Sequence, residues 1–239
     1  MRLRHYGIGV LVAAAAGAAT CAKSGSSLSG ILVSTDSAKT VPSKPTIGIT
    51  GKNQAAIRVD FDTAGTTSQS LALRVSGLTQ GEIYLFRVSD PSLDPVTSFP
   101  FKNDGSEALQ LAAVPVGTVQ SIKENVVPHF IPAIDSNLGV VMGQVDPTGG
   151  QGKCAAIAAV QLLNAADGSP ATADAPIYFD NDGVPKTGGM GDRQCSYIIF
   201  NVPAGSYRIK FTGQSLNLVG QHDVLVAGGG EIDFGLGIP

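Results

Sequence analysis

The chain has no tryptophan, only three cysteines and three histidines, and charged side chains make up just 15% of its 239 residues. Each shortage excludes something. A formal net charge of −3 with so few basic residues leaves no basic face for nucleic acid. Zinc needs three or four converging ligands, whereas His129 and His222 have neither His nor Cys at ligand spacing, and His5 lies near the N-terminus. The lack of Trp weakens the case for a sugar-stacking platform; Tyr84, Tyr178 and Phe179 would be candidates if exposed, but are expected to be buried aromatics of the core. No stretch holds eighteen consecutive apolar residues, so no helix is expected to span a bilayer.

What the chain does have is apolar residues (43%), 30 glycines and 14 prolines. That is enough to build a core, in a composition that favours short strands and turns over long helices. Residues 55–61 place Ile57, Val59 and Phe61 on one face of a strand, and residues 70–75 do the same with Leu71, Leu73 and Val75. The run Ile83 to Val88 is dense in β-branched and aromatic side chains. Gly51-Lys52-Asn53, Thr79-Gln80-Gly81 and Asn103-Asp104-Gly105 separate these runs with turn chemistry. The expectation is an all-β protein of sandwich or small-barrel type, with a single short helix.

The N-terminus carries Arg2 and Arg4, then twelve residues from Ile8 to Ala19 without a polar side chain. A basic start, a short apolar stretch and small residues at its end read as a secretory signal. As a helix the apolar stretch rises about 18 Å, too short to span. The string Ala18-Ala19-Thr20-Cys21 resembles a bacterial lipobox, with Ala18 and Thr20 where the usual form has Leu and Gly or Ala. That resemblance implies a signal peptide over 1–20 and lipidation of Cys21. Ala22 at the next position implies the outer membrane rather than the inner one. Ordinary cleavage after Ala19 or Ala22, releasing a soluble exported protein, is the alternative.

Residues 21–45 are rich in Ser and Gly, are punctuated by Pro42 and Pro45, and have Ile31-Leu32-Val33 as their one clear apolar patch. They read as a flexible tether, or alternatively as an edge strand near Ile31–Ser34. Two β-sandwich units are expected beyond, over 46–127 and 139–239, separated where Pro128, Pro132 and Asp135 break any pattern. An internal echo suggests duplication. Leu109 to Val119 and Tyr197 to Tyr207 both read as strand, then Val-Pro-x-Gly, then strand, with Pro fixing φ and Gly supplying a positive φ at the reversal.

The second half resembles the carboxypeptidase regulatory-like module, a transthyretin-like sandwich. Val140 to Asp146 fits its opening Gly-x-Val strand, Ala155 to Leu162 its Ala/Val-rich strand, and Phe200-Asn201-Val202-Pro203-Ala204-Gly205-Ser206-Tyr207 its closing signature. The resemblance covers about 100 residues, is specific only in that last segment, and implies two tandem Ig-like or transthyretin-like sandwiches, with Asn201, Val202, Pro203 and Gly205 forming a turn. It implies no zinc site, since that module is accessory to the peptidase and the peptidase domain has no counterpart here.

The remaining motifs offer little chemistry. There is no Gly-x-Ser-x-Gly elbow, and Gly228-Gly229-Gly230 lacks the Lys and Ser/Thr of a phosphate loop. Asp180, Asp182 and Asp192 are a weak calcium candidate, without EF-hand spacing, and are expected to serve as turn residues instead. Cys154 and Cys195 are expected to form a disulfide, since export leads to an oxidising compartment. It would close a loop of about 40 residues and contribute about 4 kcal/mol. The expected function is a non-catalytic envelope lipoprotein without cofactors, serving as a structural, adhesion or binding module. Its partners would be the membrane through the anchor and a protein or glycan of the envelope. The alternative is a small-ligand or glycan carrier with a pocket between the two units, and a hydrolase comes third.

Overall fold

The computed structural model describes residues 27–35, 39–62, 66–105, 108–125, 133–145, 157–180, 185–187, 194–213, 219–228 and 232–237. The first half contributes β1 (Leu28–Ser34), β2 (Thr46–Gly51), β3 (Arg58–Asp62), β4 (Ser70–Ser76) and β5 (Ile83–Ser89). It continues with β6 (Leu93–Asp94), β7 (Val96–Ser98), β8 (Phe101–Lys102), β9 (Leu109–Pro115) and one helix, α1 (Thr118–Asn125). The second half adds β10 (Gly139–Val145), β11 (Ile157–Asn164), β12 (Ile177–Asp180) and β13 (Pro185–Thr187). It ends with β14 (Gln194–Val202), β15 (Gly205–Gly213), β16 (Val219–Val226) and β17 (Ile232–Gly237).

These strands form three sheets: β3-β4-β1-β9-β6, then β13-β12-β14-β10-β17-β7-β5-β2 with β8 also on β5, then β11-β15-β16. The fold is an all-β sandwich architecture. In β4 and β5 alternate side chains, Leu71, Leu73 and Val75 with Tyr84, Phe86 and Val88, enter one core between the first two sheets. Strands β10 and β14 differ: apolar residues point to both faces. Val141, Tyr197 and Ile199 pack toward the third sheet, while Val140, Met142, Ile198 and Phe200 pack against Ala112 and Val114 of β9 and Val119 and Ile122 of α1. A strand covered on both faces reads as a continuous apolar run, and β10 and β14 do.

Three expectations need correction. The stretch expected to be tether contains β1, which is neither flexible nor an edge: it pairs antiparallel with β4 and parallel with β9, and Leu32 is fully buried between them. Its apolar patch is short because only its C-terminal end lies deep in the core. Next, the two halves share a sheet rather than standing in tandem. Strand β17 runs parallel to β10 on one side and to β7 on the other, so Ile232 lies opposite both Val140 and Val96. The junction is filled by side chains from both halves, Val96, Val114, Val140, Phe200 and Ile232 among them. Last, the Val-Pro-x-Gly echo is not a structural repeat. After Val114-Pro115, Gly117 takes φ 81 and α1 begins, whereas β15 succeeds Val202-Pro203.

Candidate functional site

The signature around Asn201 is the site that the structure builds most fully. Gly139 pairs with Val202 but Val141 pairs with Ile199, so Phe200 and Asn201 together face Val140 as a β-bulge. Asn201 absorbs the extra residue by adopting φ 55, a left-handed conformation that Asn tolerates better than most residues. The bulge returns Val202 to the face occupied by Ile199, where it is fully buried.

The Asn201 side chain then ties together three pieces of chain. Its Oδ1 accepts the Asp135 N–H at 2.8 Å, and its Nδ2 donates to the Ala133 carbonyl at 2.8 Å and to Oδ2 of Asp174 at 2.6 Å. The Asp174 N–H donates back to the Phe200 carbonyl at 3.2 Å. Three of the four hydrogen bonds available to an Asn amide are thereby made. Partial burial pushes the Asp174 carboxyl above its ordinary range, and the Asn201 hydrogen bond opposes that shift without cancelling it. A groove of about 470 Å³ lies over this cluster, lined by Leu138, Thr172, Ala173, Asp174, Asn201 and Pro203.

Beyond the bulge, Pro203 and Ala204 carry the chain from the second sheet into the third. The Tyr207 hydroxyl donates to the Pro203 carbonyl at 2.8 Å and locks this corner. A Cβ on Gly205 would come within 3.3 Å of that hydroxyl, so Gly205 serves by being small. The positive φ expected of Gly205 belongs to Asn201 instead. Asn201, Val202, Pro203 and Gly205 thus form a bulged corner between sheets. Its polar groups are spent on backbone partners, and its one carboxylate, Asp174, is held by Asn201.

Other sequence candidates separate into two groups. Tyr84, Tyr178 and Phe179 are buried, as expected of sandwich aromatics, and none of them offers an exposed platform. The Tyr178 hydroxyl accepts the Val160 N–H at 2.9 Å, and burial pushes both its pKa and that of Tyr197 upward. Cys21, Cys154, Asp182, Asp192 and His129 lie outside the described residues, as do the signal peptide, the lipidation site and one end of the expected disulfide. Cys195 and His222 lie on β14 and β16, and Asp180 closes β12 opposite Gln194. Among the described residues no three His, Cys, Asp or Glu side chains gather around a common point, and no helix is long and apolar enough to cross a membrane. Sequence reading missed Asp174 altogether and took Asp135 only as a breaker. The Asp135-Ser136-Asn137 spacing, whose Asp135 Oδ1 accepts the Asn137 N–H at 2.8 Å, was the available signal.

A second groove, of about 530 Å³, runs along the first sandwich between its two outermost strands. Ile47 and Ile49 of β2 line one side, and Val59 and Phe61 of β3 line the other.

No known protein family's profile matches the chain, and no curated protein matches it in sequence. Among solved structures it is similar to one titled "Structure of the Streptococcal ancillary pilin", at 12% identity and a TM-score of 0.27. That alignment covers 89% of this chain and 69% of the pilin. A likeness at this level carries no functional argument, which leaves function to be argued from the residues themselves.

Proposed function

We propose that this chain is a non-catalytic envelope protein, anchored through a lipid on Cys21, that works as a rigid structural or adhesion module. The observation that carries this reading is the shared sheet: β17 joins β7 to β10, and a common core fills the junction. Two sandwiches fused in this way hold a fixed orientation, which suits bearing or presenting a surface. The packed junction also weighs against the carrier alternative, which needs a cavity between the halves. The likeness of residues 200–211 to the closing signature of carboxypeptidase regulatory-like modules supports an accessory role. The corner's hydrogen bonds support it too, being spent on the backbone and on Asp174.

The test has two arms. In a bacterial host, the full chain is expected to incorporate radiolabelled palmitate and enter the membrane fraction, and Cys21→Ala to do neither. An unmodified N-terminus after Ala22 would refute the anchor. The purified chain, immobilised and offered envelope glycans and proteins, is expected to retain a partner unchanged. Release of hydrolysed product would refute the non-catalytic reading.

A further inference from the structure

The edge of the first sheet has a charge and apolar pattern complementary to itself. Among the described residues strand β3 pairs only with β4, which leaves its other side without a strand partner there. Arg58, Asp60 and Asp62 are exposed on its outer face, while Val59 and Phe61 stand half-buried over the groove they share with Ile47 and Ile49. Natural edge strands are usually blunted by short length, charge, Pro or a covering loop. Here the inward side is apolar, and the outward side carries both signs.

We propose that β3 is a homotypic docking edge, pairing antiparallel with β3 of a second copy about a two-fold axis through Val59. Such an axis, perpendicular to the sheet, places residues of like parity opposite one another, so only a few registers are open. An axis through Asp60 sets Arg58 against Asp62 and Val59 against Phe61, each twice, but puts Asp60 directly against Asp60, and one through Phe61 sets Asp60 against Asp62. The axis through Val59 sets Arg58 against Asp60 twice, Val59 against Val59, and Ile57 against Phe61. It alone matches opposite charges outside and apolar residues inside without also opposing two like charges. Asp60 already lies opposite Arg74 on β4, so the new pairs extend a row of alternating charge across the seam. Ile57 is extended at φ −77 and ψ 139, but its N–H already donates to the Gln54 carbonyl at 3.2 Å, so what it offers Phe61 of the second copy is a side-chain contact. Directly opposed charge pairs and apolar pairs are the units that stabilise sheets. One five-residue strand is a small interface, so the dimer is weak and best seen at high concentration.

Sedimentation velocity on the full chain across a dilution series tests this. The wild type is expected to move from monomer toward dimer as concentration rises. Arg58→Asp should weaken the dimer by about tenfold, or ~1.4 kcal/mol over two symmetry-related pairs. Asp60→Asn should weaken it less, and Arg58→Asp with Asp60→Arg should restore it. Val59→Lys should abolish it while leaving intact the Arg58 hydrogen bonds to Ala55 and Ile57. Thermal melts of each variant separate loss of pairing from loss of fold. If a variant melts early, Asp60→Asn decides: unchanged affinity overturns the register. A wild type monomeric throughout overturns the proposal, and so does a dimer broken by Ile49→Lys on β2 but not by Val59→Lys.

Discussion

Nδ2 of Asn201 donates to Oδ2 of Asp174 at 2.6 Å, from a residue whose own backbone stands at φ 55. One side chain therefore closes a bulge and pins two loops, and the two tasks separate by mutation. Asn201→Gly keeps the left-handed backbone and loses the three hydrogen bonds. Asn201→Ala loses both. We expect Asn201→Gly to cost about 2 kcal/mol in urea denaturation and Asn201→Ala about 1 kcal/mol more. Equal losses would mean that the backbone conformation carries no strain for Ala.

Asp174 gives a pH dependence of definite sign. Its folded-state pKa is raised, by burial first. The stability it contributes is complete below its unfolded pKa and is lost as pH rises through the folded value. Stability curves for wild type and Asp174→Asn should therefore diverge upward through the mildly acidic range, with the variant gaining relative to wild type. Asp90 and Asp167 act in the opposite sense, since hydrogen bonds from Ser92 and Ser169 hold them below the ordinary range. Ser92→Ala should flatten the loss of stability at the acid end.

Leu32 tests whether β1 belongs to the fold. It is fully buried between β4 and β9, so Leu32→Ala should cost about 3 kcal/mol. A chain trimmed to begin at residue 36 should fail to fold its first sandwich, as read by near-ultraviolet circular dichroism. A folded trimmed chain would return residues 28–34 to the role of tether.

The shared junction predicts joint unfolding. Calorimetric and van't Hoff enthalpies should agree for the described fold, with one transition rather than two. Ile232→Ala, at a position buried where β17 touches both neighbours, should lower that single transition without splitting it.

The parts legible in the sequence were those governed by local alternation. Leu71, Leu73 and Val75 lie on one buried face as their spacing requires, and β10 and β11 fall where apolar runs were visible. What escaped notice depends on distant partners. Nothing near Leu32 announces β4 or β9, and nothing near Ile232 announces Val96, more than a hundred residues away. Val-Pro-x-Gly was recognised twice, but the residues on its C-terminal side decide its use. Thr118 to Asn125 spaces Val119 and Ile122 three apart, as a helix does, while Ser206 to Phe211 alternates. At the candidate site Asn201 and its neighbours were legible as a signature, but Asp174 was not, because a loop carboxylate shows no periodicity.

Under the proposed export, strand β17 also sets the order of events. A chain threading a translocation channel from its N-terminus releases β1 long before its sheet is complete, and β17 after every strand it must join. The first sandwich can assemble early, but β7 and β10 stay unbridged until residues 232–237 arrive. Closure is thus coupled to the arrival of β17, and a chain stalled before residue 232 presents an open seam to whatever proteases wait outside.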